Sequence, residues 1–293
     1  MSVTKTTPVQ SAALSTWAPP STVAAITALC RSMIAHRELI GILVAKNLKL
    51  RYRGSLLGFC WTLLNPLLLM LVYVLVFSVY FRVPMQGYAV FLFSGLLPWL
   101  WFSSSLGHAA GVIVGSGALV KRILFPAEIL PLVSVLSNMI NMLLSLPLLF
   151  VFLFAFGVRP GPALLFLPLL LGLQLLLTAG LALPLAALNV HLRDVEQILS
   201  NGLVLLFFLS PILYPVSTVP VTLSLGGLLT LPLRPLYFLN PVAGLVQSYQ
   251  NIFFFGREPH WIHLGMVTAC AVAALAAGYW VFDRLRDSLA EEV

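Results

Sequence analysis

The sequence has 293 residues, of which 60% are hydrophobic and only 9% are charged, and its formal net charge is +7. A soluble globular domain carries about 25% charged residues, so the composition excludes a soluble protein and indicates an integral membrane protein. The excess of Lys and Arg is the topological signal that membrane proteins carry in short loops, and it does not imply nucleic acid as a partner.

The N-terminal part of the chain divides into a tail and a helix. Residues 1–22 are rich in Ser, Thr, Pro and Ala and nearly uncharged, which predicts a disordered tail. Residues 23–53 predict an amphipathic helix, because Ile40 and Val44 lie on an apolar side opposite Lys46. We expect this helix to lie in the cytoplasmic membrane interface rather than across the membrane. An ordinary soluble helix is the alternative, and the direct run into an apolar span disfavours it.

Residues 54–283 predict an all-α transmembrane domain. About 20 apolar residues are needed to cross the hydrocarbon core. Residues 216–240 are apolar but interrupted by Pro and Gly, and we expect a re-entrant pair of short helices there, since a seventh span would move the C-terminal charges outside. Residues 284–293 remain as a cytoplasmic tail. The six predicted spans are 57–81, 88–107, 130–156, 163–187, 197–215 and 262–282.

The cations predict the orientation of these spans. With the N-terminus inside, the inside segments carry twelve Lys and Arg residues and the outside loops carry four. This is a strong positive-inside bias. It predicts a multi-pass protein with both termini in the cytoplasm.

Several absences limit the chemistry of the chain. No Asp, Glu, Lys or Arg lies in the middle of a predicted span, which disfavours a proton- or sodium-coupled carrier. No GxxxxGK[ST] loop is present to bind ATP, and the three distant cysteines imply neither a disulfide framework nor a zinc site. His260 and His263 are expected to be interfacial rather than a metal pair. We therefore predict no catalytic residue, no metal site and no cofactor bound by this chain.

Six stretches, in order, carry a resemblance to a known family. They are 48–66 (LKLRYRGSLLGFCWTLLNP), 95–106 (GLLPWLWFSSSL), 119–131 (LVKRILFPAEILP), 189–198 (NVHLRDVEQI), 209–220 (LSPILYPVSTVP) and 239–259 (LNPVAGLVQSYQNIFFFGREP). Together they resemble the membrane permease subunits of ABC-type polysaccharide exporters, which move O-antigen, capsular polysaccharide or teichoic acid. The chain departs from the family pattern at Ala127 and Gln250, where the family often has Arg.

The resemblance implies a transport subunit rather than an enzyme. It implies a homodimer that binds two copies of a separate ATPase subunit, which holds ATP and Mg²⁺. A lipid-linked polysaccharide would cross the bacterial inner membrane through a channel at the dimer interface. A permease of this architecture that exports a small lipid or drug is the alternative. An integral-membrane glycosyltransferase is a further alternative, which the lack of acidic residues near the membrane disfavours.

Two inner loops are expected to couple the permease to the ATPase. The loop 108–129 is longer and more apolar than a simple connector needs, although an ordinary basic loop that fixes topology is the alternative. In the second inner loop, 189–196, the alternative to ATPase contact is an ion pair between Arg193 and Asp194 that holds the ends of two spans together. The predicted coupling residues are Ser116, Leu119, Lys121, Arg122, Leu124, Phe125, Glu128, Arg193 and Asp194.

Aromatic residues of the spans are expected to line the polysaccharide path, because sugar C–H groups pack against aromatic rings. Ordinary aromatic belts at the headgroups are the alternative. The predicted channel residues are Phe59, Trp61, Tyr73, Phe77, Trp99, Trp101, Phe207 and Tyr214. Arg51, Tyr52 and Arg53 are predicted either to meet a lipid pyrophosphate at the cytoplasmic mouth or to snorkel to membrane phosphates.

Overall fold

The computed structural model describes residues 22–52, 57–117, 126–225, 229–232, 234 and 237–292. Two helices are extended by a π-helical segment, α3 by Leu75–Tyr80 and α8 by Asn251–Phe255, and a 3-10 turn at Pro162–Phe166 leads into α6. The helices are α1 (Thr22–Ala35), α2 (Arg37–Tyr52), α3 (Trp61–Val74), α4 (Tyr88–Gly115), α5 (Ile129–Ala155), α6 (Leu167–His191), α7 (Asp194–Phe208), α8 (Pro241–Gln250) and α9 (Trp261–Glu292).

Among the described residues, five helical segments are long and apolar enough to cross a membrane. They are Trp61–Tyr80, Tyr88–Gly115, Ile129–Ala155, Pro162–His191 and Trp261–Arg286, and they correspond to predicted spans one to four and six. The multi-pass, helical prediction is thereby confirmed. The predicted fifth span corresponds to α7, which has 15 residues. At 1.5 Å per residue α7 is about 22 Å long, shorter than the ~30 Å hydrocarbon core.

Helix α4 forms the centre of the fold. Phe91, Phe93 and Trp101 are almost completely buried, and α4 packs against α3, α5, α6, α7 and α8. The Gln174 amide of α6 donates to the carbonyl of Pro98 in α4 at 2.8 Å. Because neighbouring helices surround α4, its sequence is apolar on every side rather than along one stripe.

Helices α6 and α9 run side by side in the same direction. The rings of Phe166 and Trp261, which precede α6 and begin α9, lie 5.4 Å apart. At the other end, Ser288 Oγ lies 3.2 Å from His191 Nε2. Because α7 begins beside the end of α6, the chain must travel the length of the bundle between Asp194 and Trp261 to reach the start of α9.

The prediction of two short helices over 216–240 is wrong at 222–225 and 229–232, where the chain forms strands. Strands β1 (Thr222–Leu225) and β2 (Leu229–Pro232) form an antiparallel hairpin in which Thr222 is paired with Pro232. The alternation TLSL and LTLP has the two-residue period of a strand, and the Gly-Gly between them in the sequence is a common hairpin signal. A short helix does precede the last span, but it is α8, where the Asn240 side chain caps the helix by accepting from the Val242 N–H at 3.0 Å.

The predicted interface helix over 23–53 consists of two helices, which are separated by a turn at His36. On α1, Leu29 is buried in a cluster with Leu183 of α6 and Phe282 of α9. On α2, Ile40 and Val44 are buried against α5. Leu29, Ile40 and Val44 of these two helices therefore pack on protein. Residues 1–21 of the predicted tail lie outside the described residues.

Candidate functional site: a groove between α3, α4 and α7

A groove of about 610 Å³ lies between α3, α4 and α7. One end of it is aromatic. The Tyr73 and Phe207 rings stack with centroids 5.5 Å apart, and the Trp99 ring lies 5.5 Å from Phe207. Tyr73 is half-buried, whereas Trp99 and Phe207 are nearly buried. The sequence-predicted channel residues Tyr73, Trp99 and Phe207 thus come together from three helices.

The other end of the groove is polar. On α4, Ser103 and Gly107 follow Trp99 at four-residue spacing and so share its face. On α7, Ser200 follows Glu196 in the same way. His108 also lies at this end, and its Nδ1 is 3.2 Å from the Asn138 amide nitrogen of α5.

The approach of α7 to α4 is close at this polar end. A Cβ placed on Gly111 would lie 3.7 Å from the Glu196 carboxylate. Sequence reasoning missed Glu196 and His108 as groove residues, since they lie on different helices and no sequence spacing relates them.

A second cavity of about 450 Å³ lies between α3, α4 and α5. Leu69 and Ser104 line both spaces, so the groove and the second cavity meet there. Two further predicted channel residues, Trp61 and Trp101, line this cavity rather than the groove. Trp101 is only 1% exposed, and its indole N–H donates to the carbonyl of Val135 in α5 at 3.1 Å.

Of the remaining predicted channel residues, Phe77 and Tyr214 are not among the described residues that line the groove. Phe77 packs against Phe81 at 5.4 Å and against Tyr88 at 6.3 Å. The Tyr214 hydroxyl donates to the carbonyl of Phe208 at 2.8 Å. The side chain of Phe59 lies outside the described residues.

Tyr214 takes part in a cluster between α7 and α8. The Tyr237 hydroxyl donates to the Tyr214 hydroxyl at 3.4 Å. Burial raises the pKa of the Tyr237 phenol, and the hydrogen bond with Tyr214 raises it further, so the phenol stays neutral. Tyr214 therefore has a structural role in holding the segment that follows α7.

The predicted coupling residues are described only in part. Ser116 directly follows α4, and its N–H donates to the Ile113 carbonyl at 3.1 Å. The hydroxyl of Ser32 in α1 donates to the Glu128 carboxylate at 3.2 Å. Glu128 is 8% exposed, and its second carboxylate oxygen has no hydrogen-bond partner among the described residues. Arg193 and Asp194 are exposed at the start of α7.

Several of the predicted loop and gate residues fall in parts of the chain that the structure does not describe. Leu119, Lys121, Arg122, Leu124, Phe125 and Arg53 lie outside the described residues, as do the side chains of Arg51 and Tyr52 at the end of α2.

The two histidines near the start of α9 belong to a ring stack. The centroids of His260 and His263 are 4.4 Å apart, and Phe238 stacks on His263 at 3.6 Å. His263 Nδ1 lies 3.1 Å from the side-chain oxygen of Gln247. Across the described part of the chain, no three His, Cys, Asp or Glu side chains are grouped so that they could hold a metal ion.

The helical architecture defines a multi-pass membrane protein with a groove beside its central helix. Residues 38–254 match the family model described as ABC-2 type transporter. The chain therefore belongs to the ABC-2 type transporter family, and the resemblance to a permease family is confirmed.

Two proteins that are similar to this chain have the same name. The chain is 41% identical over 265 residues to the O-antigen export system permease protein RfbA of Myxococcus xanthus, covering 90% of this chain and 99% of that protein. It is 30% identical over 255 residues to the O-antigen export system permease protein RfbA of Klebsiella pneumoniae, covering 87% of this chain and 94% of that protein.

Proposed function

We propose that this chain is the permease subunit of an ATP-driven ABC exporter that moves lipid-linked polysaccharide of the O-antigen type across the inner membrane. The observation that carries the proposal is the groove, whose aromatic end and polar end suit a glycan. Membership of the ABC-2 type transporter family supports the transport role. The names of the relatives support the choice of polysaccharide over a small lipid or drug.

The groove offers a sugar polymer two kinds of contact. Of the three rings of Tyr73, Trp99 and Phe207, that of Tyr73 is the most accessible. The C–H groups of a sugar pack on such a ring face. The hydroxyls of Ser103 and Ser200 lie farther along the same groove, where they meet sugar hydroxyl groups. Neither contact requires a particular sugar sequence, so the polymer moves along the groove without binding tightly at any one position.

In this proposal a second copy of the chain closes the groove into a channel. Both helices that flank the groove carry exposed apolar side chains. A homodimer formed through these two helices buries such side chains and places two grooves opposite each other. The exposed side chains are Leu68, Leu71, Val72 and Leu75 on α3 and Ile198, Leu205 and Leu209 on α7 and just after it.

We further propose six crossings with both termini in the cytoplasm. Helix α7 and the segment after it make the fifth crossing, because they connect the end of α6 to the start of the parallel α9. The shortness of α7 is tolerated where its ends are covered by protein rather than lipid. The twelve-to-four distribution of cations supports this orientation.

The energy comes from a separate ATPase subunit in this proposal, present in two copies, which holds ATP and Mg²⁺. The loop 116–128 joins α4 and α5 and is the contact surface that we assign to it. Its last residue, Glu128, is tied to α1 through Ser32. A push on the loop is thereby passed both to the central helix α4 and to the N-terminal helices.

Tyr73→Ala tests the groove, and Phe77→Ala is its matched control. Both substitutions remove a large ring from the same helical segment, one turn apart, but only Tyr73 lines the groove. We expect Tyr73→Ala to reduce surface polysaccharide several-fold and Phe77→Ala to leave it near wild type, with both complexes assembled. Surface immunoblotting and co-purification of the ATPase measure the two properties. Full export by an assembled Tyr73→Ala complex would contradict the proposed path.

A further inference from the structure

The second cavity, between α3, α4 and α5, has two kinds of wall. One wall is apolar and is formed by Leu97, Leu100 and Met142. The other carries amides and hydroxyls, including those of Thr62 and Asn65 of α3. A space of about 450 Å³ is within the size range of small-molecule sites. An amphipathic ligand fits this mixed lining.

Thr62 provides the second observation that points to a ligand. Its side chain is 8% exposed, and its hydroxyl has no hydrogen-bond partner among the described residues. A buried hydroxyl without a partner is costly. Since Thr62 lines the cavity, a molecule with a hydrogen-bonding group in the cavity would remove this cost.

The position of the cavity along α3 indicates where in the membrane its polar wall lies. The apolar segment Trp61–Tyr80 has 20 residues, which span about 30 Å, so Trp61 lies at the edge of the hydrocarbon core. Asn65 is one turn deeper and is exposed at the rim, and Trp61 is 37% exposed. Tryptophan favours this interfacial level, where the ester groups of phospholipids also lie.

The residues that lead into this edge of α3 carry positive charge. Lys46 and Lys49 are exposed on α2, and Arg51 and Arg53 follow in the sequence. Basic residues beside a site between membrane helices attract anionic lipid headgroups, each contributing about 1 kcal/mol near the surface.

We propose that the second cavity binds an anionic phospholipid. An ester carbonyl of the lipid accepts hydrogen bonds from the Thr62 hydroxyl and the Asn65 amide. One acyl chain lies along the apolar wall, and the headgroup faces Lys46 and Lys49 of α2. The lipid fills the space between α3, α4 and α5. This inference does not depend on the nature of the exported molecule.

The test is lipid retention by the full permease–ATPase complex, measured by native mass spectrometry with added phosphatidylglycerol. The double variant Thr62→Val, Asn65→Leu removes the polar wall while keeping similar side-chain volumes. We expect its affinity for phosphatidylglycerol to be about tenfold weaker, as for the loss of one net hydrogen bond. Thr268→Val is the matched control, because this hydroxyl lies on α9 and already donates to the Leu264 carbonyl at 2.8 Å.

A second variant keeps the proposal testable if the double variant fails to assemble. Leu100→Trp fills the cavity from its apolar wall, and we expect the same loss of bound lipid in an assembled complex. Equal retention by wild type, Leu100→Trp and the control would overturn the proposal. So would a retained molecule that is a polyisoprenyl glycolipid, or a cross-link from Asn65→Cys to a second copy of the chain across the cavity.

Discussion

The packing of α6 against α9 depends on two glycines that face each other. A Cβ on Gly278 would overlap the carbonyl oxygen of Gly180. A Cβ on Gly180 would lie 2.5 Å from the backbone nitrogen of Leu275 and 2.6 Å from the carbonyl carbon of Ala274. These are backbone atoms, so no side-chain rotation relieves the overlap. Such contacts between small residues are a common basis of helix packing in membranes.

The cost of Gly278→Ala follows from this geometry. Because the best carbon–carbon separation is about 3.5–4.0 Å, α9 must move away from α6 by about 1 Å, and a gap of that size forfeits about half of each dispersion contact. Overpacking of this kind costs about 1–3 kcal/mol, while Ala gains about 0.5–1 kcal/mol over Gly within a helix. Since the clash is with backbone atoms, we expect the free energy of unfolding to fall by about 2 kcal/mol. This corresponds to a decrease in Tm of about 4–8 °C.

Differential scanning fluorimetry of the protein in one detergent checks this value, with Gly172→Ala as the matched control. Gly172 lies on α6, the helix that carries Gly180, and a Cβ there meets nothing within 4 Å. We expect the control to unfold at or slightly above the wild-type temperature. If Gly278→Ala and Gly172→Ala unfold at the same temperature, the inferred contact between α6 and α9 is absent.

Three further predictions concern the segment after α7, the junction before α3 and the coupling loop. The Gln250 side-chain amide donates to the Pro211 carbonyl at 2.6 Å, and Gln250 is 1% exposed. Gln250→Leu should therefore lower the free energy of unfolding by about 1–3 kcal/mol, and an unchanged Tm would refute this. Gly58 has φ +42°, a conformation that β-branched residues strongly disfavour. Gly58→Val should therefore reduce export while leaving ATP hydrolysis and assembly of the complex intact. Parallel loss of hydrolysis and export would count against this prediction. Replacing Leu124 and Phe125 with Asp should abolish co-purification of the ATPase, and an unaltered complex would exclude their docking role.

Much of the fold was predictable because each crossing needs a long apolar run. The five long helical segments coincide with predicted spans to within several residues. The hairpin at 222–232 was missed although its alternation was visible, because apolar residues near a membrane were interpreted as helical. The shortness of α7 was also missed, since the apolar run continues through the turn that follows Phe208.

The candidate site was predictable only in its residue types. Tyr73, Trp99 and Phe207 do share a groove, but Phe77, which lies one turn from Tyr73, packs elsewhere. Glu196 lies far from Trp99 in the sequence, and only the packing of α7 on α4 brings both to one groove. Aromatic residues at helical spacing therefore predict which side chains lie near one another on the same helix. They do not predict which residues of other helices pack against those side chains.

The sequence by itself determined the membrane class, the positions of five long apolar segments and the bias of cations toward one side. These follow from the cost of placing charge or unpaired backbone groups in hydrocarbon, which acts on each segment separately. Only the tertiary structure decided which apolar side chains are buried, such as Trp101, and which are exposed, such as Trp61. The physical reason is that lipid tails are as apolar as a protein interior, so a hydrophobic pattern does not distinguish a face that meets lipid from one that meets another helix.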